Sequence, residues 1–304
     1  MYPNSGFRIV LGHLHAQGVR VQDARVLESL RRVDPEGTRS RARSLCTIKR
    51  RQYSVPGPNA MWHIDGNHKL IRWRFVVHGG IDGFSRMITF LTAATNNRAT
   101  TVLGSFLGAI NRFGLPSRVR SDMGGENIEV AQFMVINRGE GRQSHITGIE
   151  RLWRDVYQYV LDQFHHLFYN LEAEGLLNPD DEVHLYALHW SFLPQLQRHL
   201  AFFQEGWNNH KLRTANNQSP LQLWTTFGEL EDTYQVDENY GVDGLMSNDA
   251  EGVYEAEGVH VPEVQLQQEL TDEQIATLPN PNVPYSDAAA IYLGTVQKIM
   301  VIMG

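Results

Sequence analysis

The sequence predicts an α/β fold in which a mixed β-sheet is flanked by helices. Three consecutive segments rich in β-branched and aromatic residues begin at Trp62 and are typical of strands. A segment with one apolar helical face follows them, and a short strand and another helix come next. The order β-β-β-α-β-α favours a mixed sheet with helices packed against it.

A small helical module is predicted at the N-terminal end. Residues 6–33 indicate two short helices around the break at Gln17-Gly18-Val19, and Val26 and Leu30 recur at helical spacing on the second. We interpret residues 1–38 as part of a helix-turn-helix-like module.

Residues 39–57 form a basic linker with little apolar surface to bury. Such a linker suits the phosphate backbone of a nucleic acid, and its cations are candidate DNA-binding residues. They are Arg39, Arg41, Arg43, Lys49, Arg50 and Arg51.

Three strands are predicted to form a meander. They lie in WHIDGNHKLI from Trp62, WRFVVHGGID from Trp73 and RMITFLTAA from Arg86, and Asp82-Gly83 supplies a tight turn before the third. A helix over 100–113, a strand over 117–122 and a helix near 128–136 follow.

Two long helices are predicted next, over 148–177 and 182–207. Pro194 lies inside the second and is expected to kink or split it, since proline donates no backbone hydrogen bond. Regularity fades after Trp224. We interpret residues 229–304 as an irregular, acidic and partly disordered tail.

Charge is distributed unevenly along the chain. The net charge is −7, yet residues 1–51 carry 11 Lys and Arg against 4 Asp and Glu, whereas residues 225–304 carry 1 against 15. The basic head suits a polyanion and the tail repels one. The single cysteine excludes an intrachain disulfide and a thiolate zinc cluster, and no apolar run reaches the roughly 20 residues that span a bilayer. We expect a nuclear protein without a membrane partner, with the cytoplasm as the alternative location.

Three acidic residues fall on three different predicted elements: Asp65 inside the first strand, Asp122 after the fourth, and Glu150 at a helix start. An acid among apolar strand residues is costly unless a charge such as a cation compensates it. Carboxylates are the ligands that Mg²⁺ prefers, and two cations about 3.5 to 4 Å apart are a common arrangement for phosphoryl transfer.

The segments around these acids resemble the three acidic motifs of the DDE-type integrase and transposase catalytic core. They are WHID ending at Asp65, SDMGGEN from Ser121 to Asn127, and GIERLWR from Gly148 to Arg154. Downstream, Trp207-Asn208-Asn209-His210 and the segment from Ser219 to Trp224 are similar to the stretch that closes transposase cores of this group.

The resemblance implies a ribonuclease H-like core over residues 58–228, with a mixed five-stranded sheet, in a eukaryotic protein related to mobile elements. It implies that Asp65 is shared by two Mg²⁺ or Mn²⁺ ions, that Asp122 and Glu150 each complete one site, and that His63 and Asn127 are neighbours. It further implies DNA as the partner, a homo-oligomer, and cleavage and joining of DNA phosphodiesters.

Simpler interpretations stay open. Glu150 can pair with Arg154 on a solvated helix face, and Asp122 can be a turn residue before Gly124-Gly125. Arg151 and Arg154 can hold phosphates or merely solvate their helix. The 27 residues between Asp122 and Glu150 are fewer than in retroviral integrases, and neither a zinc module nor a small β-barrel is recognisable. A domesticated, catalytically silent DNA-binding or scaffolding protein is therefore the alternative function, and a general ribonuclease H-like nuclease is a weaker third.

The histidines and tryptophans suggest no separate site. His63 and His68, like His184 and His189, are five residues apart, which is poor spacing for one zinc site on a helix face. Three tryptophans are nucleobase-platform candidates but are expected in the core: Trp153, Trp190 and Trp207.

Overall fold

A computed structural model describes residues 6–38, 55–122, 124–139, 143–144, 149–228 and 259–304 of the chain. The basic cluster from Arg39 to Arg51 lies outside these ranges. Among the described helices, none is long and apolar enough to cross a membrane.

The two N-terminal helices are confirmed. Helix α1 spans Phe7–Ala16 and α2 spans Asp23–Val33. A side chain at Gly12 of α1 would overlap the backbone carbonyl oxygen of Gly206, so the backbones of α1 and a long helix of the core pack directly together. The N-terminal helices are thereby packed on the core.

The sheet has five strands in the order β3-β2-β1-β4-β5. Strand β1 is antiparallel to β2, and β2 to β3, whereas β1 is parallel to β4 and β4 to β5. Their bounds are Trp62–Asn67, Val76–Asp82, Ile88–Ala94, Val119–Arg120 and Gln143–Ser144. The five strands and their mixture of directions agree with the mixed five-stranded, ribonuclease H-like sheet that the resemblance implies.

The predicted helices are present with small changes in their bounds. They are α3 (Ala99–Phe113), α4 (Ile128–Arg138), α5 (Glu150–Val156), α6 (Asp162–Ala173), α7 (Glu182–Asn209) and α8 (Pro220–Phe227). A π-helical turn over Tyr157–Leu161 joins α5 to α6, so the helix predicted over 148–177 contains one wider turn. Such turns are often found at functional sites.

Alternation along β1 separates the two sides of the sheet. Trp62 and Ile64 pack with Phe106 of α3 and Met134 of α4 in one apolar cluster. The opposite side is covered by α5, α6 and α7, whose apolar residues form the larger cluster. His63 and Asp65 alternate with these core residues, so they face the side covered by α5.

Of the two effects expected of Pro194, a kink or a split of the second long helix, the split is wrong. Helix α7 runs through Pro194 as one element of 28 residues. Proline removes one backbone hydrogen bond, but the surrounding side chains Leu188, Phe192, Leu196 and Leu200 are all buried. Tertiary packing therefore holds both halves of the helix in place.

The prediction of an irregular tail is corrected over its last part. Residues 259–304 are described and contain α9 (Asp272–Ala276) and α10 (Ala288–Met303). Helix α10 buries Ala288, Tyr292 and Ile299 in the larger apolar cluster. The acidic residues are concentrated before α10, so the average composition of residues 229–304 does not show that the sequence of α10 is apolar.

Candidate functional site

Asp65 lies inside β1, where both of its carboxylate oxygens are engaged. The backbone N–H of Gly66 donates to Oδ1 at 2.8 Å, and the indole Nε1–H of Trp153 donates to Oδ2 at 2.7 Å. Trp153 belongs to α5, so this bond links the central strand to the helix that begins at Glu150.

Asp122 follows β4 and sits in a compact turn. Its Oδ1 accepts a hydrogen bond from the side-chain amide of Asn127 at 2.7 Å and one from the backbone N–H of Gly124 at 3.2 Å. The same Asn127 amide nitrogen lies 3.3 Å from Oε1 of Glu126, which is buried. Asn127 therefore bridges two carboxylates, and Asp122 is both a turn residue and a neighbour of Asp65.

Glu150 is the first residue of α5, but its side chain lies outside the described part of the structure. Trp153 lies about one helical turn after Glu150, and its indole contacts Asp65. The backbone of Glu150 is therefore about one turn of α5 away from this contact. The start of α5 is thus close to β1, as the predicted acidic triad requires.

The electrostatics of Asp65 are those of a half-buried, incompletely compensated carboxylate. The pKa of Asp65 is raised to about 6, chiefly by burial and in addition by the negative charges of Asp122 and Glu126. The hydrogen bonds from Trp153 and Gly66 lower this pKa but do not cancel the burial. Nearby negative charge disfavours ionisation of Asp65, so the site has an excess of negative charge that a cation would neutralise.

His63 lies deeper on the same side of β1 and is paired in register with Arg120 of β4. Burial, followed by the positive charges of Arg120 and Arg86, lowers the pKa of His63 to about 3. The imidazole is consequently neutral at physiological pH. His63 therefore lies next to the site along β1 but adds no charge to it.

A cationic surface lies beside the beginning of α5. Burial lowers the pKa of Arg8 in α1, and repulsion from Arg213 and Arg151 lowers it further. Within the described residues none of these three arginines forms an ion pair. Three arginines that are distant in sequence therefore bring positive charge to the same region, and we call Arg8, Arg151 and Arg213 together the arginine surface.

The two helical arginines predicted to contact DNA have different environments. Arg151 is exposed and belongs to the arginine surface. The side chain of Arg154 is 57% exposed, and its Nε lies 3.6 Å from Oδ1 of Asp155. The remaining predicted DNA-binding residues, from Arg39 to Arg51, lie outside the described residues.

The side chains present fit a divalent cation in part. Asp65 and Asp122 are oxygen donors of the kind that Mg²⁺ and Mn²⁺ bind, and each oxygen of Asp65 keeps one lone pair beyond its single hydrogen bond. Within the described residues, which do not include the side chain of Glu150, no three acidic or histidine side chains are close enough to form a metal site.

Sequence reasoning missed four residues around this site: Gly79, Trp153, Arg8 and Arg213. Trp153 was expected in the core, with a nucleobase platform as the alternative, and its ring is indeed buried. The double glycine at Gly79-Gly80 inside a strand was an available signal, because a glycine there often marks the close approach of another group. No signal in the sequence brings Arg8 and Arg213 together, since 204 residues separate them.

Comparison with known proteins gives one family and several solved structures. A family model described as an integrase core domain matches residues 52–237. The HTLV-2 integrase catalytic core domain in complex with magnesium, in a trimeric form, is 16% identical, covering 56% of this chain and 99% of that chain with a TM-score of 0.39. An intasome of simian T-cell lymphotropic virus in complex with PP2A regulatory subunit B56 gamma is 15% identical, covering 76% of this chain and 78% of that chain with a TM-score of 0.41. No curated protein shows significant sequence similarity.

Proposed function

The chain belongs to the family of integrase core domains, and we propose that it is a DNA-binding polynucleotidyl transferase that cleaves and joins DNA phosphodiesters. The observation that carries the proposal is Asp65, a half-buried carboxylate in the central strand that accepts a hydrogen bond from Trp153 of α5 and whose pKa is raised by burial and by Asp122. Perturbed acids of this kind are concentrated at functional sites.

Asp65, Asp122 and Glu150 would hold two Mg²⁺ or Mn²⁺ ions. When bound, such cations lower the pKa of water and stabilise the charge that develops on a phosphate. The roles of the protein are to present oxygen ligands and to orient the DNA. Asp65 is held by two donors, and Asp122 is held by Asn127 and Gly124. Water would act in cleavage and a DNA 3′-hydroxyl in joining, so no side chain need be the nucleophile.

The arginine surface supports DNA as the substrate. Arg8, Arg151 and Arg213 carry positive charge without ion-pair partners among the described residues, and Arg151 is next to Glu150 in sequence. Arginine pairs with phosphate through several N–H groups, so this surface fits a DNA backbone that passes the acidic site.

The test is cleavage and joining of labelled duplex oligonucleotides with Mg²⁺ or Mn²⁺. Asp65→Asn, Asp122→Asn and Glu150→Gln should each lower both activities by about 100-fold or more, because each change removes one anionic ligand. Glu174→Gln removes a charge from an exposed position and serves as the matched control. Activity of Asp65→Asn equal to that of the original chain contradicts the proposed catalytic role.

A catalytically silent DNA-binding protein is the second candidate function. It is favoured by the short segment of 27 residues between Asp122 and Glu150 and by the acidic character of the C-terminal residues. DNA binding by the unaltered chain, without cleavage or joining in either metal, would select this alternative.

A further inference from the structure

Gly79 lies directly opposite Asp65 in the register of β1 and β2. A Cβ atom at this position would lie 2.7 Å from Cη2 and 3.3 Å from Cζ2 of Trp153, and 3.2 Å from Cδ1 of Leu91. Real Cβ atoms do not approach other carbons to 2.7 Å, so the indole ring occupies space that exists because residue 79 has no side chain.

The indole in this slot is oriented toward Asp65. Its Nε1–H donates to Oδ2 of Asp65 at 2.7 Å, while the backbone N–H of Gly66 donates to Oδ1 at 2.8 Å. One donor on each oxygen fixes the plane of the carboxylate. Because a carboxylate oxygen accepts at two lone-pair positions, one position on each oxygen remains for another ligand.

The same bond relates Asp65 to the third acid of the site. Trp153 is buried, with 8% of its surface exposed, and lies one helical turn after Glu150. Movement of Trp153 would therefore shift the carboxylate of Asp65 and the start of α5 relative to each other.

We propose that Trp153, seated in the slot at Gly79, is a positioning residue that fixes the carboxylate of Asp65 for a divalent cation. This inference rests on the proposed function, because it concerns the same cation site. Groups that orient metal ligands typically change metal affinity by about 10 to 100-fold when they are replaced.

Two substitutions separate this role from ordinary core packing. Trp153→Phe keeps an aromatic ring in the slot and removes the indole N–H. Gly79→Ala leaves Trp153 and Asp65 chemically intact but fills the slot and displaces the ring. Gly104→Ala is the matched control, because a Cβ at Gly104 in α3 meets no atom within 4 Å.

The experiment measures Mn²⁺ affinity of the folded full chain by calorimetry. Trp153→Phe and Gly79→Ala should each weaken binding by about 10-fold or more. Their combination should weaken it little further, since both act through one hydrogen bond. Gly104→Ala should bind like the original chain.

A second measurement follows Trp153 in the original chain and uses the variants only to identify its resonance and as a control. In the original chain, the indole N–H resonance of Trp153, identified by its absence in Trp153→Phe, should shift during titration with Mg²⁺. The same resonance should not shift in Asp65→Asn. A Trp153 resonance unmoved by Mg²⁺ in a chain that binds Mg²⁺ through Asp65 would overturn the positioning role.

The outcomes for the two proposals differ. Unchanged Mn²⁺ affinity in Asp65→Asn rejects the cation site and with it the proposed function. Loss of affinity in Asp65→Asn with unchanged affinity in both Trp153→Phe and Gly79→Ala rejects the positioning role alone.

Discussion

Replacing Asp65 by Asn should stabilise the metal-free protein and abolish most of its stabilisation by metal. The carboxylate of Asp65 is half-buried beside Asp122 and Glu126, and burial, followed by these negative charges, raises its pKa from 3.8 to about 6. The raised pKa means that ionisation of Asp65 opposes folding. This penalty is absent below pH 3.8 and complete above pH 6.

The size of the penalty follows from the shift in pKa. A rise from 3.8 to about 6 corresponds to about 3 kcal/mol at pH 8, at 1.36 kcal/mol for each pH unit. Asn presents an N–H₂ group to one of the two donors, Trp153 or Gly66, and an unmade hydrogen bond of this kind costs about 1 to 3 kcal/mol. The Asn variant should therefore be as stable as the original chain without metal, or more stable by up to about 2 kcal/mol.

Metal should reverse the comparison. A cation that binds only the folded state stabilises it by about 2.7 kcal/mol at a hundredfold excess over its Kd. The original chain should gain this amount in Mn²⁺, whereas Asp65→Asn should gain much less, because it loses a charge and the shared ligand together. Thermal or urea unfolding with and without Mn²⁺ measures both quantities. An equal gain in the two proteins would refute the reasoning that Asp65 is a ligand.

Two further predictions concern pH and salt. Without metal, the free energy of unfolding of Asp65→Asn relative to that of the original chain should increase from about pH 4 to 6 and level off above, because the raised pKa of Asp65 places its ionisation in that window. Urea unfolding at several pH values measures this difference. A difference that does not change with pH would contradict the prediction. Combined replacement of Arg8, Arg151 and Arg213 by Gln should reduce the slope of log affinity for duplex DNA against log salt concentration by up to about 2.7. Arg112→Gln, on α3 at the other side of the sheet, should leave this slope unchanged. An unchanged slope in the triple variant would exclude the arginine surface as a DNA contact.

Much of the fold was predictable because its signals are local. The alternation of β1, the Asp82-Gly83 turn and the apolar face of α3 depend on residues that are neighbours in the chain, and the structure confirms each. Asp65 was also predictable, since an acid in an apolar strand is conspicuous without any knowledge of its partners. Asp122 drew its significance from the resemblance, since a turn carboxylate is common.

The support around Asp65 was not predictable in the same way. Trp153 has the spacing and apolarity of a core residue, and its indole N–H gains a role only because β1 and α5 approach each other in the fold. The expectation that Trp153 lies in the core is correct, but a tryptophan can place its ring in the core and also direct one polar atom toward a site. Apolar spacing in the sequence predicts that the ring is buried, but it does not predict where the indole N–H points.

The C-terminal segment shows the opposite failure, in which composition concealed structure, and it yields a final prediction. Tyr292 of α10 is fully buried, its hydroxyl donates to the carbonyl oxygen of Leu176 at 2.9 Å, and it lies 2.8 Å from Nδ1 of His184. Tyr292→Phe should cost about 1 to 3 kcal/mol through the unsatisfied buried partners. Tyr292→Ala should cost about 3 to 5 kcal/mol, as for other large aromatic residues in a core.

Val301 provides the matched control for this test, because it lies on the same helix with 79% of its surface exposed. Val301→Ala should leave the unfolding free energy within about 0.5 kcal/mol of that of the original chain. Urea unfolding of the three variants decides between a docked helix and an irregular tail. If the tail contributed nothing to the fold, all three variants would unfold at the same urea concentration, because no buried contact would be lost. A graded loss, largest for Tyr292→Ala, follows only if α10 completes the core beside α7.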